Sequence, residues 1–268
     1  MWRAIGLIGR DKLLKKEIHP RITKGKPFFL TGKRGTGKTA ILEWAHHSLQ
    51  EGRKAYVSAQ LPPKELLVFI VEQWGLEIEV EGKKISPQKV TSTVLDKAIA
   101  KENKGIIFID DIHKASPTLI RRLRLWKERF CLYIAGTPPY REELKQVLWG
   151  LKEYEIHPIP KDQRTRLAQR MCEHYEALIS FHEVAQASRG IPGRMAAMAM
   201  AGEVEDTSHR VEGEELDLSP VLLLGIVAIV AVRYIGMGLN ETDIYVLGGI
   251  GAGFTLFLRY FLFKGMAK

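Results

Sequence analysis

Cysteine is nearly missing from this 268-residue chain, which has only Cys131 and Cys172. The two show no metal-ligand spacing and Cys131 opens an apolar run, so neither a disulfide framework nor a zinc site is expected. Reduced, buried thiols in a cytosolic compartment fit better. Internal repeats and low-complexity tracts are also missing, which sets aside solenoid and fibrous architectures. The opening MWRAIGLIGRDKLLKK has no apolar core long enough for a signal peptide, so none is expected. No aromatic residues interleave with basic ones in a nucleic-acid-binding pattern. What is present, 26% charged and 46% hydrophobic residues, suits a globular protein of one or two domains. The net charge of +9 permits nucleic acid or anionic lipid as a partner, but a diffuse excess does not choose between them.

Composition divides the chain into regions. Over 1–160, short β-rich apolar runs alternate with helical patterns, as in a parallel α/β sheet. Strands are expected at Pro27–Thr31, Ala55–Ala59, Gly105–Asp110, Cys131–Gly136 and Tyr154–Ile159. Helices are expected at Lys38–Glu51, Lys64–Trp74, Pro87–Lys101 and Pro117–Phe130. Over 161–201 the pattern becomes wholly helical, which predicts a small lid. Residues 202–218 are acidic and poor in apolar residues, as in a flexible linker.

The most specific signal is PFFLTGKRGTGKTAILEWA, which contains G-x-x-x-x-G-K-T at Gly32, Gly37, Lys38 and Thr39. It follows an apolar strand and opens a helix, the context a phosphate-binding loop requires. Glycines let backbone N–H groups curl around a phosphate without Cβ clashes, and the helix N-terminus favours the anion. The expected nucleotide-binding set is Gly32, Lys33, Arg34, Gly35, Thr36, Gly37, Lys38, Thr39 and Ala40. Lys38 neutralises the β- and γ-phosphates of ATP, and Thr39 holds Mg²⁺ by its hydroxyl.

A second element, GIIFIDDIH, ends an apolar strand in Asp110 and Asp111. This strand is expected beside the one feeding the phosphate loop, with Asp110 on the Mg²⁺ side through water. Asp111 is the residue expected to orient or deprotonate an attacking water. Because Asp reaches less far than Glu, slow hydrolysis is expected. The run CLYIAGTPP places Thr137 at the end of a third strand, either near the γ-phosphate or simply in the turn before Pro138.

The amphipathic segment LIRRLRLWKERF distributes Arg121, Arg122, Arg124 and Lys127 around an apolar stripe. A solvated surface helix is the favoured reading, ahead of a DNA- or subunit-contacting face. His113 reads as a loop residue, and His46 and His47 as exposed positions on the first helix.

Near the C-terminus, PVLLLGIVAIVAVRYIGMG from Pro220 and IYVLGGIGAGFTLFLRYFLF from Ile244 are each close to the roughly 20 residues a bilayer-crossing helix needs. Only GLNETD separates them. A two-helix transmembrane hairpin over 219–264 is therefore expected. The uncharged-to-acidic turn and Lys264 and Lys268 beyond the second run place both the N-terminal domain and the C-terminus on the cytoplasmic side. Gly249 and Gly253 allow close helix packing, within the hairpin or between protomers.

Taken together, IGRDKLL, GKRGTGKT, FIDDIH, AGTPP and SRGIPGRM resemble the AAA+ and STAND branch of P-loop ATPases, especially the origin-recognition, ExeA and TniB types, over Ile5 to Ala201. The resemblance implies that Ile8 to Arg10 line the nucleotide's base, Pro192 packs near adenine, and Arg194 is a lid arginine reaching the phosphates. Ring-forming members often carry an arginine just before the last strand; here Lys152 occupies that neighbourhood, and a lysine cannot brace a phosphate with two parallel bonds. The resulting expectation is a slow, membrane-anchored ATPase, with catalytic Lys38, Asp111, Thr137 and Arg194. It would use ATP and Mg²⁺, form a homo-oligomer and engage an unidentified protein partner. It would drive or switch assembly or gating at the cytoplasmic face of a membrane, as in secretion, envelope or particle morphogenesis, or signalling. A membrane-tethered, ATP-dependent DNA-binding regulator and a nucleotide switch with a pore-forming hairpin are the alternatives.

Overall fold

The computed structural model describes residues 5–50, 52–80 and 82–204. The chain divides into two compact units, Met1–Thr207 and Ser208–Lys268. The expected hairpin over 219–264 lies outside the described residues, as does the linker from 205 onward. Among the described residues, no helix is long and apolar enough to cross a membrane.

The apolar runs form five parallel strands: β1 (Phe28–Thr31), β2 (Lys54–Ser58), β3 (Ile106–Asp110), β4 (Cys131–Ala135) and β5 (Lys152–Glu155), in the order β2-β3-β4-β1-β5. Alternation along each strand feeds two separate cores. Phe29, Val57, Ile107, Ile109 and Ile134 face one side; Phe28, Leu30, Phe108 and Tyr133 face the other. The first side is covered by α2 (Pro63–Gln73), α3 (Ser92–Lys101), α4 (Pro117–Trp126) and α5 (Glu142–Leu148). The second is covered by α1 (Lys38–Ser48) and by an N-terminal helical segment. That segment runs through Asp11–Leu13, a π turn at Leu14–Ile18, and His19–Thr23.

The acidic strand is not beside β1, contrary to the sequence-based expectation. β4 lies between them, pairing Phe28 with Tyr133 on one side and Ile106 with Cys131 on the other. Chain order does not fix spatial order when every connection is a crossover, and the insertion brings three strand ends rather than two to the phosphate loop.

Several boundaries also differ. β5 begins and ends earlier than Tyr154–Ile159: the N–H of Ile156 still bonds the carbonyl of Thr31, at 2.7 Å, but the apolar Ile159 marks burial rather than strand pairing. The N–H of Ile159 already bonds the carbonyl of Gly190, 2.7 Å away. The stretch Pro87–Lys101 is broken into a 3₁₀ turn, Pro87–Lys89, and α3, with Val90 and Thr91 extended between them. α1 stops at Ser48, where Leu49 turns extended. α4 stops at Trp126, whose carbonyl accepts the N–H groups of both Arg129 and Phe130. α5 and the N-terminal helical segment had no counterpart in the sequence reading.

Three helices follow the sheet: α6 (Lys161–His174), α7 (Phe181–Ala187) and α8 (Pro192–Ala201). They share a core of Leu167, Ala168, Met171, Val184, Met195 and Ala199, completed by Ile5 and Ile159. The N-terminal residues therefore fold onto the helical lid as well as onto the sheet.

The basic cluster on α4 is largely committed to internal contacts. Arg122 grips Asp96 of α3 through Nε and Nη2, at 2.9 and 2.8 Å. The Lys127 ammonium donates to the carbonyls of Val147, at 2.9 Å, and Trp149. Arg124 reaches Gln146 at 3.3 Å. These cations tie α4 to its neighbours.

Candidate functional site

The loop after β1 turns within two residues of the strand. Gly32 takes φ +138°, and a Cβ there would stand 2.5 Å from the carbonyl oxygen of Ile156, so only glycine fits between β1 and the segment after β5. Gly37, at φ +95°, turns the loop into the first residue of α1. Thr36 is fully buried, with its hydroxyl donated to the carbonyl of Lys33 at 2.9 Å. Lys38 is 8% exposed, and its ammonium donates to the carbonyls of Gly32 and Lys33, at 2.7 and 2.8 Å. Burial lowers its pKa to about 8, against the pull of Asp110 and Asp111. The loop thus holds a concentrated positive charge at the head of a helix.

Asp110 closes β3 and is buried. Its Oδ1 accepts the N–H of Asp111 at 2.8 Å, and its Oδ2 accepts the hydroxyl of Tyr56 at 3.2 Å. Asp111 then turns left-handed, at φ 53° and ψ 37°, a region Asp tolerates better than most residues. The amide of Gln60, just beyond β2, donates to Asp111 Oδ2. At the end of β4, the N–H of Thr137 donates to Nδ1 of His113 at 3.4 Å, which defines that nitrogen as the acceptor. Burial lowers the His113 pKa, which favours the neutral ring.

Arg10 is buried, and its guanidinium meets backbone carbonyls. Its Nη2 donates to the carbonyls of Thr36 at 2.9 Å and His157 at 2.6 Å, bracing the phosphate loop against the segment after β5. Burial pulls its pKa down to about 10, so it remains cationic at neutral pH. Replacing Arg10 with Met should lower stability by about 2 kcal/mol, because two carbonyls lose a charged donor. Urea unfolding measures this; an unchanged midpoint would mean that the carbonyls do not depend on the guanidinium.

The lid meets the loop directly. The N–H of Gly193, in the first turn of α8, donates to the carbonyl of Gly35 at 2.8 Å. A Cβ on Gly193 would lie 2.9 Å from Gly35 Cα, so this close approach requires the glycine. Between loop, strand ends and lid lies a cavity of about 470 Å³. Arg34, Gly35, Thr36, Gly37, Lys38, Thr39, Ala40, Asp110, Asp111 and Thr137 line its polar end. Ile5, Ile8, Ile159, Leu167, Met171 and Pro192 supply apolar wall, and Arg10 and Glu43 also line it. Of the residues expected from sequence, Gly32, Lys33 and Arg194 do not line the cavity. Arg194 sits half-buried in the first turn of α8.

The donor chemistry fits Mg²⁺ carried by a nucleotide. Thr39 and Asp110 offer hard oxygens at one edge of the cavity, and each Asp110 oxygen accepts one protein hydrogen bond, leaving capacity for a further contact. Among the described residues no group of three or more His, Cys, Asp or Glu is placed to hold a metal ion.

Sequence reasoning missed Tyr56, Gln60, Glu43 and the lid residues Leu167 and Met171. Tyr56, Ser58 and Gln60 recur with a period of two at the end of β2, and once β2 is known to pair with β3 they become visible as neighbours of the acids. The pairing itself was not readable from the chain.

The arrangement defines a P-loop nucleotide-binding fold. An AAA domain model matches residues 22–144, just under half of the chain. That segment is similar to an AAA domain. Among solved structures, domain III of the Thermotoga maritima replication initiation protein DnaA shares 17% identity, at a TM-score of 0.50. The match covers 81% of this chain and 90% of that one. A Drosophila ORC structure bound to DNA shares 14% identity, at a TM-score of 0.51, over 72% of this chain and 60% of that one. The Thermotoga maritima RuvB Holliday junction branch migration motor matches at 15% identity and a TM-score of 0.45, over 87% of this chain and 82% of that one. In one further RuvB structure the match spans 62% of that chain. At these identities the DnaA and ORC likenesses carry the fold alone. No curated protein matches the sequence.

Proposed function

We propose that this chain binds ATP with Mg²⁺ in the cavity between sheet and lid and hydrolyses it slowly. The observation that carries this reading is the convergence of Lys38, Thr39, Asp110 and Asp111 on one cavity that also has an apolar wall. The apolar wall of Ile5, Ile8, Leu167, Met171 and Pro192 suits a purine. The loop N–H groups and Lys38 meet the phosphates, with the ammonium leaving the carbonyls of Gly32 and Lys33 for a stronger anionic partner. Thr39 and Asp110 would hold Mg²⁺, which supplies neutralisation of the charge that develops on the phosphoryl oxygens. Asp111, steadied by Gln60, orients the attacking water, and Thr137, which also lines the cavity, would contact the terminal phosphate. The lid residues Pro192 and Gly193 close over the nucleotide, with Arg194 one residue further on α8.

The wider role follows from the sequence. The apolar runs after Pro220 and Ile244 support a membrane-anchored chain, N-terminal domain and C-terminus both cytoplasmic, that assembles with copies of itself and a protein partner. Nucleotide state would then switch assembly or gating at that face of the membrane. Arg122 and Lys127 are held in internal contacts while Arg121 and Arg124 stay exposed, so the DNA-binding alternative has a smaller basic face on α4 than the sequence offers. The test is phosphate release from Mg·ATP by the full chain recovered from a carbonate-washed membrane fraction. Slow release that stops on chelating Mg²⁺ is expected. Chain lost in the carbonate wash would contradict the anchor, and membrane-bound chain with no release would contradict the activity.

A further inference from the structure

We infer that Tyr56 is a positioning residue for the metal-side carboxylate: its hydroxyl, donated to Asp110 Oδ2, fixes the plane in which that carboxylate meets the Mg²⁺ of a bound nucleotide. This rests on the reading of the cavity as a Mg·ATP site and adds to it a residue outside the phosphate loop and the acidic strand.

The argument begins with register. β2 pairs in parallel with β3 so that Tyr56 lies opposite Phe108 and Ser58 opposite Asp110. Tyr56 therefore starts two residues short of the acid, and its long side chain reaches forward to cover that distance. Alternation along β2 puts Ala55 and Val57 into the core under α2, and turns Tyr56 to the other face, the one α1 covers. There its ring packs edge-on to His46 of α1, with centroids 5.8 Å apart, and the hydroxyl ends 3.2 Å from Asp110 Oδ2.

Asp110 is then held at both oxygens. The N–H of Asp111 takes one site on Oδ1 and Tyr56 takes one on Oδ2. A carboxylate can accept about two hydrogen bonds per oxygen, so each oxygen keeps capacity for the cavity side. With its rotation fixed from behind, the carboxylate meets a metal or metal-bound water without losing freedom at that moment. A carboxylate can only accept, so the phenol hydroxyl is the donor of this bond. A tyrosine serves better here than a shorter hydroxyl because only its length spans from β2 to the end of β3.

The test is Tyr56→Phe, which keeps the ring and its packing and removes only the donor. Binding of a fluorescent ATP analogue is titrated in EDTA and over a range of Mg²⁺ concentrations, for wild type and variant. Affinity in EDTA should be unchanged, while the Mg²⁺ concentration giving half of the metal-dependent gain should rise about tenfold. The same Mg²⁺ dependence in both proteins would overturn the inference. An equal loss with and without Mg²⁺ would also overturn it, since that is the mark of a merely structural role. Failure of the underlying site reading is distinguishable: the wild type itself would then bind no analogue, or gain nothing from Mg²⁺.

Discussion

Replacing Lys38 with Ala should remove Mg·ATP binding while leaving the protein folded. In the structure the ammonium is buried and satisfied only by the carbonyls of Gly32 and Lys33, and burial holds its pKa down to about 8. The desolvation it suffers offsets part of what its two hydrogen bonds contribute to folding, and its larger value comes when phosphates arrive. Charge-assisted bonds to two phosphate groups contribute roughly 1.5–3 kcal/mol each, so affinity should fall on the order of a hundredfold or more. The nucleotide-free variant should still unfold cooperatively, at a cost of no more than about 2 kcal/mol for two carbonyls that lose a charged donor, and equilibrium binding should show the loss. Retained affinity in a folded variant would mean that the nucleotide, if bound, sits elsewhere.

Replacing Asp111 with Asn should separate binding from turnover. Asp111 has left-handed backbone geometry that Asn also adopts readily, so the turn after β3 survives the change. Its Oδ2 is already held by Gln60, and an asparagine can still accept that bond through its carbonyl oxygen. What disappears is the negative charge and with it the capacity to take a proton from water. Turnover should drop about a hundredfold, the ordinary loss when a positioned base is removed. ATP affinity should move by less than about threefold, because no phosphate contact is lost. Single-turnover phosphate release alongside nucleotide binding checks both halves. Turnover equal to wild type would remove Asp111 from the chemistry and leave Asp110 as the acid to examine.

The phosphate loop and the acid pair were readable from the chain because each is local. Gly32 to Thr39 lie between an apolar run and a helical pattern, and Asp110 and Asp111 end a run of four apolar residues. Local covalent spacing is enough to bring Lys38, Thr39 and the loop N–H groups together. The residues that hold the acids from behind depend on non-local pairing. Tyr56 and Gln60 matter because β2 lies beside β3, and no spacing in the sequence states that adjacency. The same limit explains the misplaced acidic strand: β4 separates β3 from β1, although it follows both in the chain.

The lid shows a second kind of limit. Its helical pattern was plain, and SRGIPGRM stood out as a motif. Yet the close contact runs through backbone atoms, Gly193 N–H to Gly35 carbonyl, which no side-chain pattern records. Arg10 likewise sits in the segment expected to line a base, while its guanidinium is bonded to two carbonyls and braces the loop. Residue identity marked the place, and folding assigned the contact.

The central claim is that the cavity under α8 is a nucleotide site. Titrating the wild-type full chain with a fluorescent ATP analogue in Mg²⁺, followed by displacement with unlabelled ATP, tests it most directly. The account predicts saturable binding at one site per chain, fully displaced by ATP. Binding that fails to saturate, or that ATP does not displace, would contradict it.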